Sequence, residues 1–169
     1  MHGLYILSVW LHLLAAMTWI GGMVFLALVL VPACRLPAYQ GIAASLVHVT
    51  GVRFRVVGWI CLAVLLLTGT FNLAYRGLGL SALLSGPAPF GFFGQILRIK
   101  LPLVAAIFLI SARHDFVIGP RATAVGRTDP ASAEARRLKA WASWMGRLNL
   151  LLGMVVVALG AMLLRGWPW

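Results

Sequence analysis

Negative charge is what this sequence has least of. Only three of its 169 residues are acidic, Asp115, Asp129 and Glu134, against fourteen lysines and arginines. So few carboxylates leave no pair for general acid–base work. The chain also shows no His–Glu helix motif, no phosphate-cradling glycine loop and no nucleophile–base set, so hydrolytic chemistry finds no support. Cysteine is scarce too: Cys34 and Cys61 form neither a disulfide framework nor a close metal-ligand spacing. Charged residues make up 10% of the chain and hydrophobic ones 62%, too apolar for an ordinary soluble domain. The net charge of +11 therefore reads as a topology signal, and no nucleic-acid partner is expected.

What is present is four apolar stretches, at about 4–31, 54–75, 96–112 and 141–164. Each approaches the roughly 20 residues a helix needs to cross a bilayer core. The expectation is an all-α integral membrane protein, a single membrane domain over 1–169 built as a four-transmembrane-helix bundle. The first stretch has no basic n-region and is far longer than a signal-peptide core, so it is expected to persist in the mature protein. Arg35, Arg53 and Arg55 mark the first connection, and Arg113, Arg121, Arg127, Arg136, Arg137 and Lys139 the third. The second connection and the termini offer little beyond Arg76 and Arg165. Both termini are thus expected on the non-cytoplasmic side, with the basic connections against anionic lipid in the cytoplasm.

Pro32 and Pro37 close the first helix, and 40–52, which carries His48, extends the second on the cytoplasmic side. Gly77, Gly79, Gly86, Pro87, Pro89, Gly91 and Gly94 mark the second connection as turn-rich. In the third, Gly119 and Pro120 interrupt the chain, and Thr128 or Asp129 is expected to cap a lead-in to the last span. No repeat is visible, and a pair of helical hairpins is the natural arrangement. Helical spacing groups Tyr5, Ser8, His12, Ala16, Trp19 and Met23 on one face. It likewise groups Gly58, Cys61, Leu65, Thr68 and Asn72, then Lys100, Val104, Ile107, Ser111 and His114, and finally Gly146, Asn149, Gly153, Val157 and Gly160. These four faces are expected to form the interior, small residues allowing close approach.

His12 interrupts the first apolar run, and an ionisable group at that depth must face protein, water, a metal or a cofactor. By helical rise, His12, Asn72, Arg98 and Lys100 all fall in the outer half of the bundle. All three carboxylates lie toward the other side. A b-type haem fits this pattern, with neutral imidazole on the iron and the basic pair at the propionates. The structural alternative is that His12 bonds a neighbouring helix while Arg98 and Lys100 snorkel to headgroups. For a second ligand Met154 or Met162 is closer in depth than His114. His48 and His114, with Asp115, could hold a second metal. Copper competes as cofactor, since Met17, Met23, Met145, Met154 and Met162 with His12 and Cys61 are soft donors. Trp10, Trp141, Trp167 and Trp169 suit interface anchoring, whereas Trp19 and Trp59 suit packing or cofactor contact.

The run from Leu11 through His12, Trp19 and Gly21 to Gly22 resembles the first helix of the copper-resistance-D (CopD) membrane domain family. Arg53-Phe54-Arg55, Thr68-Gly69 and the segment from Gly94 through Arg98 and Lys100 to Leu101 resemble its second and third helices. The resemblance implies a bacterial inner-membrane bundle linked to copper uptake or resistance. His12 and Lys100 are also similar to the first-helix His and third-helix Lys of HemJ-type haem-binding protoporphyrinogen oxidases. From Val31 to Arg35 this chain departs from that pattern, which puts protoporphyrinogen oxidation in doubt.

The leading expectation is a b-type haem on His12, with Arg98 and Lys100 at the propionates and Asn72 and Trp19 lining the site. The role would be electron transfer or cofactor handling, a membrane oxidoreductase or electron-transfer subunit with a redox partner or a second copy of itself. Copper binding or transport is the alternative. A cofactor-free accessory subunit of a larger membrane complex is the third.

Overall fold

The computed structural model describes residues 2–77 and 91–165, which form four long helices and no strand. They are α1 (His2–Ala33), α2 (Pro37–Tyr75), α3 (Gly91–Thr128) and α4 (Ala133–Arg165), each long and apolar enough to cross a membrane. Large apolar side chains point outward along them, among them Leu28, Leu67 and Leu109, each about 70% exposed. Apolar surface on this scale is unfavourable in water and natural against lipid. The protein is an all-α, multi-pass membrane bundle.

Helix α2 contains an unbroken α-helix, Gln40–Tyr75, of 36 residues. At 1.5 Å per residue it is about 54 Å long, well beyond a hydrocarbon core of about 30 Å. The segment 40–52 is thus a helical extension of the second span.

Helix α3 is longer than its apolar stretch suggests. It runs on through the polar Arg113, His114 and Asp115, and Gly119 and Pro120 lie inside it. The reason is a widened π turn at His114–Ile118, closed by the Gly119 N–H on the His114 carbonyl. Proline lacks an N–H, and its ring crowds the carbonyl four residues back. Widening the preceding turn relieves that crowding without ending the helix. Helix α1 does the same at Leu26–Leu30, just ahead of Pro32. The connection from α3 to α4 shrinks to residues 129–132, and the cap of α4 is Ser132. Its hydroxyl accepts the Ala135 N–H at 3.1 Å, while Thr128 bonds back to its own helix. Gly77 and Gly91, both at positive φ, flank the second connection where only glycine is unstrained. Its Gly79, Gly86, Pro87 and Pro89, like Trp167 and Trp169, lie outside the described residues.

Packing follows the two expected hairpins: α1 lies on α2, α3 on α4, and α1 joins them through α4. The centre is Trp19, 5% exposed, in a cluster with Ala15, Cys61, Leu62 and Ile107. A Cβ on Gly58 of α2 would stand 3.6 Å from the indole, and one on Gly153 of α4 only 3.0 Å. The two glycines are what let three helices close around one large ring. Phe54 similarly fills the space left by Gly22, where any side chain would overlap its ring. On α4 the interior face runs through Met145, Asn149 and Gly153 to Val156. Val157, expected inside, is 49% exposed.

Gly153→Leu should therefore lower the thermal midpoint in detergent by an amount equivalent to about 1–3 kcal/mol of overpacking. Gly21→Ala, with nothing near its added methyl, should leave it unchanged or raise it slightly. Equal melting of the two variants would show that Trp19 is not tightly held.

Candidate cofactor site

In the half of the bundle where α1 begins, the interior face of that helix turns polar. His12 Nδ1 lies 2.8 Å from Thr68 Oγ1 of α2. Thr68 Oγ1 in turn lies 2.6 Å from the Val64 carbonyl of its own helix. Two oxygens that close require a proton between them, and only the threonine has one to give. The hydroxyl therefore donates to Val64 and accepts from His12 Nδ1–H. In this arrangement neutral His12 is the Nδ1–H tautomer, and the Leu65 carbonyl is a second acceptor for the ring. This is the arrangement by which a ligating histidine is oriented through its other nitrogen. Ser8, one turn outward on α1, reaches the Thr68 carbonyl with a long contact of 3.5 Å. A Cβ on Gly69 would touch the imidazole at 3.4 Å, so α2 packs directly on the ring.

Lys100 comes from α3. It is half-buried, and its ammonium nitrogen is 3.4 Å from where Gly160 of α4 would carry a Cβ. The missing side chain at Gly160 makes the room. No carboxylate meets Lys100 among the described residues. Asp115 is engaged by Trp59 Nε1–H at 2.9 Å and by His114 at 2.8 Å, and Glu134 by Arg121 at 2.8 Å. Asn72, one turn outward from Thr68, has a buried side-chain oxygen with no hydrogen-bond partner. An imidazole held by Thr68, a lysine without a carboxylate partner and an amide oxygen without a hydrogen bond thus lie at similar depth among the described residues.

The other expected residues divide around it. Arg98 is exposed, because two residues along a helix point to nearly opposite sides; only Lys100 faces inward. Trp19 sits two turns deeper, in the central packing. Met162 is half-buried near Gly160, whereas Met154 is 55% exposed on the outer face of α4. Met17 faces out and Met145 is buried toward the other end of α4. His114 stays at the far end of α3 with Asp115. His48 is half-buried on the projecting part of α2, and no three or more His, Cys, Asp or Glu side chains come together to hold a metal among the described residues.

Two polar features escaped the sequence reading. Asp115 belongs to α3 and ties it to α2 through Trp59, a link hidden because the span was expected to end at 112. At the outer end Tyr5 and Tyr75 stack at 4.4 Å. Arg76 donates to the Tyr5 hydroxyl at 3.1 Å and lies over the Phe93 ring. These contacts clamp α1, α2 and α3 beside the site.

Residues 48–163 match the model of the family described as copper resistance protein D. The chain belongs to the CopD family. The match begins within α2, so Thr68, Asn72, Lys100 and Gly160 fall inside it and His12 precedes it. An uncharacterized protein of Aquifex aeolicus (strain VF5) is 30% identical over 162 residues, covering 95% of this chain and 96% of its own length. That alignment is long enough to include most of α1 of this CopD-family protein. No solved structure gives a significant match.

Thr68→Val should strip the His12 ring of its side-chain partner and cost about 1–2 kcal/mol, near the upper range for hydrogen bonds between membrane helices. Thr68→Ser should restore it. Lys100→Met, which removes a buried charge with no partner, should leave the ligand-free protein at least as stable as native. A large drop in the melting midpoint for Lys100→Met would mean that the ammonium is structurally paired.

Proposed function

We propose that the outer half of this CopD-family bundle binds a b-type haem and serves electron transfer or cofactor handling in a bacterial inner membrane. The observation that carries this reading is His12 fixed through Nδ1 on Thr68, at the depth of a lysine that meets no carboxylate among the described residues. Haem, when bound, supplies one-electron redox chemistry. His12 would hold the iron through its other ring nitrogen, and Lys100 would neutralise a propionate. Asn72 supplies an acceptor to a protonated group or to water, while Trp19 closes the site below. Arg98, facing out, suits lipid headgroups or a second propionate at the water boundary. Met162 would be a second ligand at compatible depth.

Copper, named in the family description, is the second reading, as ligand or as cargo. The donor set of this chain fits it less well. The methionines diverge, and Lys100 repels a cation at His12 where it would attract an anionic group. A protein with neither cofactor would instead be an accessory subunit of a larger complex.

The deciding experiment is an optical spectrum of detergent-purified protein from haem-replete cells, oxidised and dithionite-reduced, beside His12→Ala. A reduced b-type spectrum lost in the variant is the expected result. A featureless native spectrum overturns haem binding, and metal analysis showing copper that depends on His12 would then establish the second reading.

A further inference from the structure

At the opposite end of the bundle, where α3 emerges and α4 begins, the surface opens into a cavity of about 600 Å³. Its polar lining is Arg113, Arg121, Arg137 and Glu134, with Ile118, Leu138 and Trp141 as an apolar wall. The one carboxylate is taken by Arg121 at 2.8 Å, so Arg113 and Arg137 bring charge with no acidic partner inside the cavity. A second cavity of about 650 Å³ adjoins it, sharing Trp141 and lined also by Ala140, Ser143, Trp144 and Arg147. Trp141 and Trp144 meet edge to face at 6.3 Å. The two cavities form one groove, with three arginines at one end and two tryptophans with the single cation Arg147 at the other.

The direction of that polarity matters. Counted along α4, Trp144 lies about 5 Å deeper in the membrane than Trp141, and Arg137 about 6 Å further out. Along α3, Arg113 stands about 26 Å from Ile96, close to the thickness of a hydrocarbon core, and Arg121 lies beyond it. Arg113, Arg121 and Arg137 therefore sit at headgroup level and the tryptophans at the edge of the acyl region, with Arg147 about 9 Å deeper than Trp141 along α4. A soluble anion needs only the cationic end, whereas a phospholipid uses both ends in this order. Basic pockets between membrane helices recognise anionic headgroups in this way.

We propose that this groove is a specific site for one anionic phospholipid of the leaflet on that side, its phosphate held by Arg113, Arg121 and Arg137 and one acyl chain laid along Trp141 and Trp144. Charge complementarity selects the anionic headgroup, and the indole wall selects a lipid over a free phosphate.

Native mass spectrometry of the full chain released from detergent, titrated with phosphatidylglycerol or phosphatidylcholine, tests this. One phosphatidylglycerol should be retained in preference. Arg113→Gln with Arg137→Gln, which leaves the Arg121–Glu134 pair intact, should weaken that adduct by about 30-fold, at roughly fivefold per surface cation. Arg127→Gln with Arg136→Gln, an equal loss of charge outside the groove, should not. Glu134→Gln should strengthen the adduct, a gain that misfolding cannot produce. Equal retention of the two lipids, or equal loss in the control pair, would overturn the site. Displacement of the lipid by inorganic phosphate at comparable concentration would instead reveal a free-phosphate site and overturn the lipid.

Discussion

The structure depends on one contact, the Trp19 indole lodged between Gly58 and Gly153. In lipid no hydrophobic force draws helices together, so close packing must do it, and close packing requires small residues opposite a large one. Trp19 brings α1, α2 and α4 to a common centre and fills it without a polar atom from any neighbour. Its position also divides the interior. Polar groups lie on both sides of it, His12, Thr68, Asn72 and Lys100 outward, and Ser111, Asn149, Trp59 and Asp115 inward, with an apolar layer of Ala15, Cys61, Leu62 and Ile107 between.

The outer group derives its character from what the composition omits. With all three acidic side chains toward the other end, a lysine folded into this part of the interior meets no carboxylate among the described residues. Burying a lone cation is costly, and the fold accepts that cost at the depth of a hydrogen-bonded imidazole. Each feature alone has a bland explanation. Together they are what the proposed site would offer to an anionic group that also accepts a nitrogen ligand. The CopD relationship supports a membrane bundle and leaves the chemistry of that receptor to be decided by spectroscopy.

Much of this was legible from the sequence, for identifiable reasons. The four spans showed because their apolar runs are long, and His12 because one ionisable side chain stands out in such a run. The interior faces of α1, α2 and α3 followed from 3.6-residue spacing. What was missed had local causes. Arg98 and Lys100 read as a pair by proximity in the chain, although an interval of two residues separates them around the helix. The end of α3 was placed too early because Gly119-Pro120 reads as a break, and a widened turn is invisible to composition. The role of Thr68 needed distances, since only the 2.6 Å contact to Val64 determines which way its proton points.

The π turn at His114–Ile118 has a consequence for the phase of α3. Adding one residue to a helical turn rotates everything beyond it by about 100°. The part of α3 above the turn directs Ser111 at Asn149. The part below directs Arg121 at Glu134. The two halves are helices of independent azimuth spliced at one point. Gain or loss of a single residue there re-aims the headgroup-level arm while leaving the membrane interior in register, so the two ends of this protein are free to diverge separately.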